Sequence, residues 1–164
     1  MSRLENIKSK IYTTVQIKAV LNVWRLLGKK VVFTNGCFDL LHLGHIDYLS
    51  KAADMGDKLV IGLNSDASAS ALKGPGRPIT DQLSRSVMLA SFSFVDAVVI
   101  FDEPTPLHLI ELVRPDILVK GADYSIEQIV GASLVQQYGG EVKTIEYLSG
   151  YSTTLIEKKI RSNT

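Results

Sequence analysis

The chain has 164 residues, 46% of them hydrophobic and 21% charged, with a formal net charge of +1. That length suits one domain with its own core, and the near-neutral balance gives no support for a general nucleic-acid or membrane-surface binder. The single cysteine excludes an internal disulfide and a cysteine metal cage, and no apolar run approaches the roughly 20 residues that span a bilayer.

The stretch Met1–Lys10 is polar, without the apolar core of a signal peptide, so a cytoplasmic location is expected. Ile17, Val20, Leu21, Trp24 and Leu27 then recur at three- and four-residue spacing. They predict a helix over about 13–27, opened by a capping box of Thr13 and Gln16. Short apolar runs follow at Val31–Thr34, Leu59–Leu63, Ala97–Phe101, Ile117–Val119 and Val142–Ile145. Between them lie helical patterns near His45–Met55, Leu83–Phe94, Pro106–Val113 and Ile126–Tyr138, and a last one covers Thr154–Arg161. Strands alternating with helices predict an α/β fold, a Rossmann-like open parallel sheet of about five strands with helices on both faces. One domain is expected over 1–164, its core at 30–164 behind the first helix.

In such sheets ligands bind beyond the carboxyl ends of the strands. Asn35–His45, Asn64-Ser65-Asp66, Asp102-Glu103 and Lys120–Tyr124 all follow strands and should gather there. Lys73-Gly74-Pro75-Gly76-Arg77-Pro78 excludes regular structure and reads as a mobile basic flap.

The sharpest signal is Gly36-x-Phe38-Asp39 followed by His42-x-Gly44-His45, where a strand turns into a helix. A helix N-terminus offers open N–H groups and partial positive charge, and glycines let the backbone approach a phosphate. Neutral histidines there can donate hydrogen bonds to charge developing on a transferring phosphoryl group. A zinc site is disfavoured because His108, the third histidine, lies far off in sequence, and no metal ligands are assigned. Cys37 reads as a packing residue, since direct displacement at phosphorus needs no thiolate.

These residues resemble the nucleotidyltransferase superfamily of the cytidylyltransferases and pantetheine-phosphate adenylyltransferase. Asn64-Ser65-Asp66, Lys73-Gly74, Arg77-Pro78, Arg85, Val95-Asp96, the run Leu118–Tyr124 and Gly150-Tyr151-Ser152-Thr153-Thr154 occur in order. Together they resemble the adenylyltransferase domain of the bifunctional heptose kinase/adenylyltransferases, from the first helix to the chain's end, without the kinase portion.

The resemblance implies transfer of AMP from ATP, with Mg2+, to D-glycero-β-D-manno-heptose 1-phosphate. ADP-heptose and pyrophosphate result, serving lipopolysaccharide or surface-polysaccharide synthesis. It implies catalytic roles for His42, His45, Lys73 and Arg85, the last as a phosphate-contacting arginine. Nucleotide binding falls to Thr34, Asn35, Gly36, Phe38, Gly44, Lys120, Gly121, Asp123, Ser152 and Thr153. The acceptor falls to Asp39, Asn64, Asp66 and Arg77. Thr154 and Glu157 have capping-box spacing at the last helix. Implied partners are ATP and a sugar 1-phosphate, with no nucleic acid or membrane, and homo-oligomerisation is left open.

Two other readings stand beside it. One is a cytidylyltransferase acting on glycerol 3-phosphate or a similar small phosphate, although Tyr147 stands about where glycerol-phosphate enzymes carry an arginine. The other is a nucleotide-binding module without turnover.

Overall fold

The computed structural model describes residues 1–162. Six strands form one sheet: β1 (Ile11–Tyr12), β2 (Val31–Gly36), β3 (Lys58–Asn64), β4 (Ala97–Phe101), β5 (Ile117–Gly121) and β6 (Glu141–Ile145). Their order is β1-β4-β3-β2-β5-β6 and every pairing is parallel. The expected parallel architecture is present, with β1 as a sixth strand beyond the five predicted. Two residues are too few to show a period-2 pattern.

The described residues form eight α-helices, of which α2 to α7 connect strands: α1 (Arg3–Lys8), α2 (Thr14–Leu26), α3 (Leu43–Ala53), α4 (Asp66–Lys73), α5 (Gln82–Ser91), α6 (Leu107–Val113), α7 (Ala132–Gln137) and α8 (Thr153–Ser162). Thr13 and Gln16 make the expected reciprocal capping box on α2, and Ser2 and Glu5 make another on α1. The pattern read as one helix over Ile126–Tyr138 divides into a 3-10 turn at Ile126–Gln128 and α7. Gly131 separates them at φ 84°, a left-handed value that an interior helical residue does not adopt. Asn64 ends β3 at the expected sheet edge, Ser65 caps α4 by accepting from the Ser68 N–H, and Asp66 begins that helix.

The sheet carries a core on each face because alternate strand residues point to opposite sides. Phe33, Val60, Val99 and Leu118 face α2, α6 and α7 through Leu21, Ile110 and Val135. Val32, Ile61, Val98 and Val119 face α3 and α5 through Leu49 and Leu89. After β2 the chain winds outward through β3 and β4, then returns to place β5 on the other side of β2. The strand order thus reverses between β2 and β5, which opens a crevice at their carboxyl ends.

Candidate active site

β2 brings Asn35 and Gly36 to that crevice, and the chain turns back at Phe38, whose φ of 45° is left-handed. A Cβ on Gly36 would come within 3.0 Å of the Phe38 ring, so the tight turn needs a glycine there. His42 occupies the N-cap position of α3 with no side-chain cap bond. Its imidazole stacks on that of His45, ring centroids 3.9 Å apart. Gly44 leaves room for the stack as it stands, because a Cβ there would lie 3.0 Å from the His42 ring and 3.2 Å from the Tyr151 Cβ and press on both. Neither Nδ1 has a protein partner. Burial pushes the His42 pKa down, and burial with the nearby His42 and Lys73 brings His45 to about 4. Both rings are therefore neutral donors near pH 7.

The far wall comes from β5. Lys120 reaches across the reversal and donates from Nζ to the Asn35 carbonyl at 3.0 Å. Burial lowers its pKa, countered by Asp123. Gly121 lies directly beneath Tyr147, whose hydroxyl occupies the space that a Cβ at 121 would take. Thr34 is buried, its hydroxyl bonded to that of Tyr48 at 2.7 Å, so it supports the floor rather than presenting a group to ligand.

The flap is tied down. Asp39 accepts from the backbone N–H groups of Ile79 and Thr80, at 2.7 and 3.0 Å, and from Arg77 Nη1 at 2.9 Å. Arg77 also pairs with Glu157 of α8. Burial pushes the Asp39 pKa up, but the bonds from Thr80, Arg77 and Ile79 outweigh it and hold the carboxyl below its usual range. Arg77 and Asp39 thus join the motif loop, the flap and α8.

Arg85, expected on phosphate, has a fully buried side chain instead. It donates to the carbonyls of Thr80, Cys37 and Asn64 and to the Asp66 carboxylate, all within 2.8 Å. Most of its fork is taken up by protein acceptors, an arrangement that suits positioning of the motif loop and the start of α4. Asn64 donates to Ser68 and Asp66 pairs with Arg85, so these two acceptor candidates are engaged in the scaffold. Ser152 caps α8 by accepting from the Leu155 N–H. The Thr154–Glu157 capping box is corrected accordingly: the helix begins at Thr153 and Glu157 turns to Arg77.

Two cavities meet at this edge. An inner one of about 150 Å³ is lined by Asn35, Gly36, His45, Lys73 and Lys120 among others. An outer one of about 340 Å³ is bounded by His42, Gly44, Asp123, Tyr151, Ser152 and Thr153. Tyr147 lines both, although no motif in the sequence marks it as a site residue. Tyr48, also missed, follows His45 by three residues on the same helical face, and that spacing is its signal. A larger cleft of about 450 Å³ lies at the opposite edge, around Arg25, Lys29 and Arg114. There Arg25 donates to the Val113 carbonyl, so cations answer a helix C-terminus and need no ligand to explain them.

Residues 33–159 match the cytidylyltransferase-like family model. The chain belongs to that family. Among similar curated proteins, the bifunctional protein HldE of Syntrophotalea carbinolica is 56% identical over 93% of this chain and 31% of its own length. HldE of Paramagnetospirillum magneticum is 52% identical over 95% of this chain and 32% of its own. This cytidylyltransferase-like chain therefore spans about a third of the length of the curated relatives it matches. A lipopolysaccharide core biosynthesis protein from Thermoplasma volcanium has a solved structure with a TM-score of 0.60 and 31% identity, covering 76% of this chain and all of its own. Pantoate-beta-alanine ligase from Francisella tularensis, at 16% identity and a TM-score of 0.63 over 92% of this chain and 76% of its own, shares the fold. No described helix is long and apolar enough to cross a membrane.

Proposed function

We propose that this chain is a nucleotidyltransferase that moves AMP from ATP to D-glycero-β-D-manno-heptose 1-phosphate. The observation that carries the chemistry is the neutral, stacked His42–His45 pair at the start of α3, beside the β2/β5 reversal. The acceptor follows from the motif resemblance, supported by the high identity to the HldE proteins.

A phosphate oxygen of the sugar phosphate attacks the α-phosphorus, the bond from that phosphorus to the bridging oxygen breaks, and pyrophosphate leaves. No covalent enzyme intermediate is needed, so the protein contributes positioning and charge stabilisation. His42 and His45 donate to the α-phosphoryl oxygens as charge grows. Lys73 and Lys120 offset phosphate charge from the inner cavity, with the N–H groups opening α3 and α8 as further donors. Asp39, Arg77 and Arg85 position the flap and motif loop. Among the described residues no three His, Cys, Asp or Glu side chains converge as a cation cage. Magnesium is expected with the triphosphate, whose charge it would offset.

The test is pyrophosphate release with magnesium, crossing ATP and CTP against both heptose 1-phosphate anomers and glycerol 3-phosphate. Release with ATP and the β-anomer is expected. Release with CTP and glycerol 3-phosphate alone overturns the acceptor and base together. Nucleotide binding without release from any pair would indicate a module without turnover.

A further inference from the structure

We propose that Tyr147 is a movable partition across this site, and that a nucleoside triphosphate enters by displacing its ring. The inference rests on the nucleotidyltransferase reading above. Ligand pockets for small molecules usually enclose about 300–1,000 Å³. The inner cavity, which holds His45, Lys73 and Lys120, offers only about 150 Å³. Its outer neighbour, with His42 and the start of α8, offers about 340 Å³. His45, Tyr147 and Thr153 border both, and of these the half-exposed Tyr147 ring can swing aside, joining the small cavity that holds Lys73 and Lys120 to an outer one at the lower end of ligand size.

The ring has a seat from which it can leave. Gly121 provides the hollow under the hydroxyl, and a Cβ at that position would overlap the oxygen. Gly121 has no positive φ, so this glycine answers a need for space and not for backbone conformation. The Tyr48 ring, held by Thr34, lies 5.9 Å away at a tilt of 33°. Burial, and after it the facing Asp123, pushes the hydroxyl pKa up to about 12 and keeps it protonated. On its other side Tyr147 is 53% exposed, so rotation outward disturbs little of the core. The residue sits on the connection between β6 and α8, where Gly150 has a φ of 85°. Within the partitioned site Asn35 Oδ1, His42 Nδ1 and His45 Nδ1 are buried without protein partners, which costs free energy that an incoming polar ligand recovers.

A protein that must open before binding associates more slowly by the fraction of time it is open. Tyr147→Ala should therefore raise the association rate of α,β-methylene-ATP, followed by stopped flow against a fluorescent ATP analogue, by roughly fivefold or more. Tyr147→Phe keeps the ring and should associate like the unaltered chain. An Ala variant with unchanged association, or one whose only change is faster dissociation, overturns the partition and makes Tyr147 a stacking surface. As a second readout, the unaltered chain carrying 3-fluorotyrosine should show its Tyr147 resonance, identified by its loss in the Phe variant, shifting on nucleotide saturation. An indifferent resonance overturns the proposal. Failure of the folded unaltered chain and the Ala variant alike to bind nucleotide overturns the parent reading as well, which separates the two failures.

Discussion

The imidazoles of His42 and His45 stack with their planes inclined by 29°, inside a pocket that strips both of water. His45 falls from 6.5 to about 4 on folding. Between those values the unfolded chain binds the proton and the folded chain does not. Stability from this group is thus fully present above about pH 6.5 and is lost as pH falls towards 4. His45→Gln should flatten the dependence of the melting temperature on pH between 7 and 4.5. It should also lower turnover by roughly 100- to 1000-fold, the usual cost of one lost transition-state donor. An unchanged pH slope in the variant would place the titration elsewhere.

Arg85 binds three backbone carbonyls and one carboxylate with a planar fork that lysine cannot reproduce. Arg85→Met leaves the Thr80, Cys37 and Asn64 carbonyls without this donor and the half-exposed Asp66 without its partner, and should cost on the order of 3–5 kcal/mol in urea unfolding. Arg85→Lys should recover only part of that. A phosphate-binding arginine would behave differently, losing turnover with stability nearly intact, so the two measurements together decide the role.

Asp39 is the hinge between the motif loop and the flap. Asp39→Asn keeps the shape but removes the charge facing Arg77, and its amide can accept at only one oxygen. Limited proteolysis within 74–80 should quicken. Turnover should drop by about 10- to 100-fold, since displacements of about 1 Å near a reacting centre carry costs of that order. Because the folded-state pKa of Asp39 is lowered, its contribution holds above the ordinary carboxylate pKa and vanishes as pH falls through the folded value. The Asn variant should therefore lose part of the acid sensitivity of the native chain. Equal proteolysis rates would show that Arg77 and Glu157 hold the flap without it.

What could be read in the sequence follows from where the information sits. The His42-x-Gly44-His45 spacing carried its own geometry, because a strand end and a helix start place both rings on one side of the crevice. Four of the five longer strands showed through runs of consecutive apolar residues, and β6 through Val142 and Ile145 near its ends. The helix α4 did not, since Asp66–Lys73 is short and built mostly of alanine and serine, with Leu72 as its one large apolar residue. The fate of Arg85 was equally hidden: three of its four partners are backbone carbonyls, which leave no mark on residue type. Glu157 was three residues from Thr154, a plausible helix start, and matched a capping box, yet its partner lies 80 positions away. Tyr147 stood out in no local pattern, because its significance arises only where Gly121 makes room for it.

Gly44 separates catalysis from stability. It lies in the first turn of α3, where alanine is the better helix former by up to about 1 kcal/mol. Its Cβ would nevertheless press on the His42 ring at 3.0 Å and on Tyr151 at 3.2 Å. Contacts that close oblige the neighbours to yield by a few tenths of an ångström, and the His42 imidazole, without a protein partner on Nδ1, is the easier to move. Gly44→Ala should therefore leave the unfolding free energy within about 1 kcal/mol of the native value while turnover falls about 10- to 100-fold. The loss should appear in kcat more than in KM, because the displaced donor acts on charge that develops in the transition state. A rise in KM alone would mean that the glycine serves ground-state binding of the triphosphate, and that the stacked pair tolerates the shift.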